Sequence, residues 1–377
     1  MRRALIVLLA AVSVTAAASD DPFRTLAQAT RYEIGVGAEL RIVSDRIAEG
    51  AGVEEYRFPL SPASAGAEAA VVDRASGAAL SATVDGDGLL ISLGRTLTER
   101  AERRVRIEEI ADRSHYVRPH GNGLIFEHAA PPGRTTVLLP PGTVLGSSNV
   151  PVQTTVEDGR LALGILHPGS EPLPIRLEIE PGDPGAMRAI EGDFRAGDER
   201  NIVYWLEDPA AHRLSLALEL LIDTPGQAHV FSVLLPTDEI LDPVTLDVDR
   251  GLELPTRIVS AEEAASIPHS PTPLPDDAKV LVADLGYAVP AGGNARVRLY
   301  QTAINPGFEL LDDGDFRLLR FLARPRTRIV LPPGWDLTSL DQPAIPHRDG
   351  EGRLVLDFVH SGGDRPSLVL TARRQPG

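Results

Sequence analysis

A stretch of nine residues occurs twice in this chain, and that recurrence limits the available folds more than any other feature. Arg134 to Gly142 reads RTTVLLPPG and Arg326 to Gly334 reads RTRIVLPPG, an offset of 192. At the same offset Arg104-Val105-Arg106-Ile107 meets Arg296-Val297-Arg298-Leu299, and Leu93-Gly94 meets Leu285-Gly286. Downstream, one added residue makes the offset 193, where Gly159-Arg160-Leu161 meets Gly352-Arg353-Leu354 and His167 meets His360. Upstream it is 174, with Gly77 and Leu80 meeting Gly251 and Leu254. The step from 174 to 192 places an 18-residue insertion in the second copy, between Leu254 and Leu281. One module of roughly 150 residues is therefore written twice.

Inside each copy the apolar residues recur with a period of two, which puts them on one face of a strand. Ile34, Val36, Ala38, Leu40 and Ile42 alternate with Glu33, Gly35, Gly37, Glu39 and Arg41 and read as one strand. Val105 and Ile107 sit between Arg104, Arg106 and Glu108, and Ile175, Leu177 and Ile179 between Arg176 and Glu178. Turn chemistry separates the runs, as at Asp85-Gly86-Asp87-Gly88, Gly121-Asn122-Gly123 and Pro140-Pro141-Gly142. One segment competes with this reading. Asp208-Pro209-Ala210-Ala211 has the form of a helix cap followed by proline at the first helical position. Yet Leu214, Leu216, Leu218, Leu220 and Ile222 alternate, and the repeat aligns them with a strand of the first copy. The segment is read as a strand.

The expected fold is all-β: two tandem antiparallel β-sandwich (immunoglobulin-like) modules related by internal duplication. They span residues 28–181 and 200–374, joined by an acidic Gly/Pro-rich linker at 182–199. The insertion, residues 255–280, reads as an exposed loop. It combines a short turn at Ser260-Ala261-Glu262-Glu263, which has capping-box spacing, with the Pro-rich run from Pro268 to Pro275.

The N-terminus reads as an export signal. Arg2 and Arg3 precede an apolar run from Ala4 to Val14, and Thr15-Ala16-Ala17-Ala18 supplies the small residues of a cleavage site. The run falls short of the ~20 apolar residues a membrane span requires. Residues 1–18 are thus expected to be removed, giving a periplasmic or extracellular protein. Lysine occurs once, at Lys279, among 37 basic residues, which is the signature of GC-rich, bacterial coding. The chain contains no cysteine, which excludes a lipidated N-terminus, disulfides, thiolate nucleophiles and Cys-ligated zinc. Its net charge of −16, becoming −18 once Arg2 and Arg3 are lost, disfavours nucleic acid and anionic lipid as partners.

No H-E-x-x-H, G-x-S-x-G, G-x-x-x-x-G-K-[ST] or G-x-G-x-x-G occurs, so neither a catalytic centre nor a cofactor or metal site is expected from spacing. His167 and His360 hold equivalent positions at strand ends, where a histidine either meets a ligand or caps a turn. The acidic turns at Asp85 and Asp87 and at Asp312, Asp313 and Asp315 match no calcium-loop spacing. The candidate binding residues are those of the insertion, Ser260, Glu263, His269, Pro271 and Pro273, because pre-extended proline segments lose little entropy on binding. Trp335 joins them, since it follows the repeated Pro332-Pro333-Gly334 turn where the first copy has Thr143. The functional expectation is a non-catalytic extracytoplasmic binding or structural protein whose partner is an envelope protein; any small-molecule ligand is unspecified. The alternatives are a carbohydrate-binding module or glycan-acting hydrolase, and an accessory subunit of a separate exported enzyme.

Overall fold

The computed structural model describes residues 28–184 and 201–375, apart from 62–63, 65–68, 87, 168–170, 235, 272, 323, 325 and 360–365. The expected signal peptide, residues 185–199 of the expected linker, and His360 lie outside the described residues.

The first copy comprises β1 (Ala29–Ile34), β2 (Glu39–Glu49), β3 (Glu55–Pro59), β4 (Ala70–Asp73), β5 (Ala82–Asp85), β6 (Gly88–Ser92) and β7 (Glu102–Asp112). It continues with β8 (Val117–His120), β9 (Gly123–Ala130), β10 (Gly133–Leu138), β11 (Thr143–Ser148), β12 (Gln153–Glu157), β13 (Arg160–His167) and β14 (Leu173–Pro181). The second begins with β15 (Asn201–Asp208), β16 (Arg213–Ile222), β17 (His229–Val233), β18 (Glu239–Asp247), β19 (Leu252–Leu254) and β20 (Thr256–Ser260). A short helix, α1 (Ala261–Ala265), leads to β21 (Lys279–Asp284), β22 (Ala295–Ile304), β23 (Phe308–Leu310), β24 (Asp315–Phe321) and β25 (Arg326–Val330). The chain closes with β26 (Trp335–Leu340), β27 (Ile345–Arg348), β28 (Leu354–Val359) and β29 (Ser367–Arg374).

Each copy is built on one long sheet. In the first its order is β12-β13-β10-β1-β2-β7-β4; in the second it is β27-β28-β25-β15-β16-β22-β18, with β19 added at the edge. A four-stranded sheet faces one end of it, β11-β14-β9-β8 or β26-β29-β24-β23, and a three-stranded sheet the other, β3-β6-β5 or β17-β21-β20. The apolar alternation of the strands supplies the cores between these layers. Tyr32, Ile34, Leu163, Phe126 and Leu177 fill one end of the first copy, and Phe58, Val71, Ile91, Val105 and Ile107 the other. The all-β, duplicated sandwich architecture expected from the sequence is the one observed.

Registry reproduces the repeat residue by residue. Ala82 pairs with Ile91 and Thr256 with Ala283, offsets of 174 and 192, so the inserted residues fall between β20 and β21.

Three local differences from the sequence reading have physical causes. Ile34 to Ile42 is a hairpin rather than one strand. Ile34 pairs with Leu40 across it, so both still face the core, while Val36 at the tip is 84% exposed. One pair per copy, β1 with β10 and β15 with β25, is parallel in an otherwise antiparallel sheet. This follows because the chain leaves the long sheet after β7, passes through the facing sheet, and re-enters at β10 in the direction of β1. The insertion is not only a loop. Thr256–Ser260 is an edge strand, and α1 and the following turns pack Ala264, Ile267 and Leu274 on Val259, Val280 and Val282.

The copies meet through equivalent turns related by a pseudo-twofold relation. Gly77 (φ 72°) presses on Gly292, and Gly251 (φ 68°) on Arg100 and Ala101; a Cβ at Gly77 would lie 2.8 Å from the Gly292 carbonyl oxygen. Offsets of 174 and 192 relate these two contacts, so one surface was used twice, as in an isologous dimer. The Glu102 N–H donates to the Val248 carbonyl at 2.9 Å and the Asn294 N–H to that of Ala75 at 3.1 Å. Buried charge crosses the same boundary: Arg296 and Arg298 reach Glu102 at 2.7 and 3.0 Å, and both donate to Glu219 within the second copy.

Candidate functional site

A groove of about 520 Å³ lies where the edges of the two long sheets approach each other. The first copy contributes Val150, Val152 and Leu173, which pack partly on its core, together with faces of β10, β12 and β13. The second contributes Pro343, Ala344 and Ile345 at the start of β27, and residues of β25 and β28. Pro151 and Pro343 are equivalent at an offset of 192 and both line the groove. Its walls are therefore mostly apolar, and among the described residues no aromatic ring other than the imidazole of His167 lines it.

The polar groups are few. Arg134 and Arg326 both line the groove; they are the first residues of the repeated nonapeptide and occupy equivalent positions on β10 and β25. Arg134 is half-buried and Arg326 is 4% exposed. Among the described residues the carboxylate lining the groove is that of Asp357, which accepts from Arg328 Nε and Nη2 at 2.7 and 3.0 Å. His347 Nδ1 lies 3.4 Å from the same carboxylate, and its pKa is lowered by burial and by Arg328 against the pull of Asp357. His167, at the end of β13, is hydrogen-bonded through Nε2 to the Glu171 carbonyl. It caps its turn and also lines the groove.

Arg134 also borders a second, polar cleft of about 380 Å³ on the outer face of the first long sheet. There Arg31, Arg41 and Arg106 alternate with Glu33, Asp45 and Glu108 and are ion-paired with them.

The candidate binding residues lie elsewhere. Ser260 caps α1, its Oγ accepting from the Glu263 N–H at 3.2 Å, and the Glu263 carboxylate is paired with Arg257. His269 is exposed with φ 63°, and Pro271 and Pro273 are exposed beside it. Trp335 belongs to another sheet and packs on Phe316 at 4.8 Å between ring centroids, as part of the core margin. The structure thus joins Ser260 and Glu263 at the cap of α1 and places Trp335 in a different sheet. Asp315, from the second acidic turn, is taken by Arg373 at 2.6 and 3.0 Å. Among the described residues no three His, Asp or Glu are grouped to hold a metal, and no helix is long and apolar enough to cross a membrane.

Arg134 and Arg326 are not among the candidates that spacing along the chain singles out, because the repeat by itself signals only duplication. The available signal was a charged residue kept at the head of a buried strand in both copies.

No protein-family model matches the chain, and no curated protein matches its sequence. Among solved structures, the collagen adhesin from S. aureus is similar over 76% of this chain and 81% of its own, at 6% identity and a TM-score of 0.16. The Enterococcus faecalis MSCRAMM ACE, which binds its ligands by the collagen hug model, is similar over 92% of this chain and 94% of its own, at 9% identity and a TM-score of 0.14. Superposition at that level is too poor for either likeness to bear on function.

Proposed function

We propose that this is a non-catalytic extracytoplasmic binding protein, and that the groove between the two copies is where it binds. The observation that carries the reading is the groove itself. It has the size of ordinary ligand pockets, mostly apolar walls and a few placed polar groups, and rigid sheets of both copies hold it. The export signal read in residues 1–18 supports the extracytoplasmic setting. The glycan-acting alternatives draw no support from this groove, whose described residues offer neither a stacking platform nor a second carboxylate.

The test uses the mature chain, residues 19–377, and the neutral apolar dye N-phenyl-1-naphthylamine. Saturable fluorescence enhancement is expected, and Ala344→Trp, which fills the groove from its half-buried wall, should reduce the dye's affinity at least about tenfold. Dye binding that is absent, or unchanged in Ala344→Trp, would show that the groove is not the binding site.

A further inference from the structure

We infer that the sheet β3-β6-β5 of the first copy is a flap that opens as one unit while the rest of the molecule stays folded, and that the insertion holds its counterpart, β17-β21-β20, shut. Among the described residues none of β3, β5 or β6 lines the groove, so the flap is a device separate from it.

What lies beneath the two sheets differs. In the second copy Val230, Leu281 and Ala283 of the three-stranded sheet belong to one continuous core with Ile202, Leu218 and Leu220 of the long sheet and with Phe316 and Leu370 of the four-stranded one. In the first copy Phe58, Leu89 and Ile91 pack on Val71, Val105 and Ile107, and this core is separate from the one around Tyr32, Phe126 and Leu163. Register locates the break. Thr30, Ser44 and Arg46 stand on the inner face at the positions of Ile202, Leu218 and Leu220. They form a polar seam across a core that the same fold elsewhere fills with aliphatic side chains.

The seam lowers the cost of opening. Burial outweighs the pull of Tyr32, Glu109 and Asp45 on the Arg46 guanidinium and lowers its pKa, so the charged form gains solvation when water enters. Just past β3 the Ser61 N–H donates to Glu109 at 3.0 Å, a tie that water can replace. Leucines in the same places lose burial instead.

The outer faces point the same way. Arg57, Asp85 and Leu90 occupy the positions of Phe231, Val259 and Val282. In the second copy Ala264, Ile267 and Leu274 of the insertion pack over these residues and form a small second core. In the first, Arg57 and Asp85 are exposed and pair with each other at 3.4 Å. The sheet β17-β21-β20 is thus held between two apolar layers, whereas β3-β6-β5 rests on one. Segments with less apolar burial open at lower free energy than the whole molecule.

The experiment is hydrogen exchange of the mature chain in low urea, read by mass spectrometry. β6 and β21 are the central strands of their sheets, so fraying of edges affects both alike. Amides of β6 should exchange at least about tenfold faster than those of β21 and of β2. Arg46→Leu, which installs the second copy's residue, should slow exchange in β6 at least about threefold and leave β21 unchanged. Replacing residues 266–276 with a short Gly-Ser link should speed exchange in β21 at least about tenfold and leave β6 unchanged. If Arg46→Leu fails to fold, the unaltered protein and the shortened insertion still decide. Exchange of β6 in step with β2 would overturn the flap, and exchange of β21 unmoved by loss of the insertion would overturn its role as a strap.

Discussion

The outer faces of the two long sheets have the same register and opposite chemistry. In the first copy Arg31, Glu33, Arg41 and Val43 occupy positions held in the second by Val203, Trp205, Ser215 and Ala217. The first set forms ion pairs along an open polar cleft, Arg31 with Glu33 and Glu157, Arg41 with Glu33 and Glu108. The second gathers Val203, Ala217, Val330 and Val355 into an apolar cluster beside Trp205, with Val203 and Ala217 wholly buried. The inner faces did not diverge in this way: Tyr32, Ile34, Leu40 and Ile42 face Tyr204, Leu206, Leu214 and Leu216 as equivalents, all buried. The comparison teaches that the shared framework resides in the inward-facing residues. The outward face was free to become a charged surface in one copy and a second core in the other.

Exchanging residues across the copies should break the comparison most sharply. Val203→Arg, which installs the residue of the first copy in the second, should destabilise by on the order of 3–5 kcal/mol, since it buries an uncompensated charge. The reciprocal Arg31→Val should cost about 1 kcal/mol or less, because partly exposed ion pairs contribute little. Urea unfolding of both variants measures the difference, and equal losses would mean the two faces are not distinct environments.

The acidic residue on the second strand comes next. Glu219 is 1% exposed and accepts from Arg296 and Arg298; its equivalent Asp45 is less deeply placed and accepts from Arg106 Nε and Nη2, both at 2.8 Å. Glu219→Gln should cost about 3–5 kcal/mol and Asp45→Asn about 1–2, because only the former leaves two buried guanidiniums to share the single carboxylate of Glu102. Burial alone would raise the pKa of Glu219, but Arg296 and Arg298 outweigh it and the net shift is downward. A lowered carboxyl pKa contributes stability that is complete above the unfolded value near 4.3 and is lost as pH falls through the folded value. Glu219→Gln should therefore flatten the acid limb of the stability profile.

A pH test at His128 sharpens the comparison further. Its Nε2 meets the Tyr32 hydroxyl at 2.7 Å, and burial lowers its pKa from 6.5 to about 4. Its equivalent is Arg320, which donates to Asp238 at 3.1 and 2.9 Å and remains charged. A depressed histidine pKa means the unfolded chain binds the proton first. Stability is full above about pH 6.5 and declines toward pH 4, by about 1–3 kcal/mol. His128→Gln, which can still meet the Tyr32 hydroxyl, should remove that slope; an unchanged slope would assign it to another group.

The smallest effect concerns the insertion, for which the proposal of an envelope-protein contact remains. Replacing residues 266–276 with a short Gly-Ser link deletes Ile267 and Leu274 from a peripheral core. A loss of about 1–2 kcal/mol is expected in urea unfolding, with β20 and α1 retained. A much larger loss would show that this small core is continuous with the main one. The same variant should fail to retain any envelope protein that the intact chain retains through His269, Pro271 and Pro273.

Sequence alone determined the strand character of the chain, its duplication, the position and length of the insertion, and the cap at Ser260. These are local or periodic properties: a strand alternates because its side chains do, and a repeat is a statement about order along the chain. It did not reveal the turn at Val36, because a hairpin closing Ile34 on Leu40 keeps the same residues facing inward as a continuous strand would. It also could not reveal that Arg104, Arg296 and Arg298 are buried. Arginine on the alternate face of a strand has one pattern whether it meets water or the other half of the molecule. Tertiary structure alone decided that equivalent turns at Gly77 and Gly251 dock the copies together. It likewise brought Arg134 and Arg326, 192 residues apart, to a common groove. Pairing of two distant surfaces depends on their shape and charge in three dimensions, which no spacing along the chain encodes.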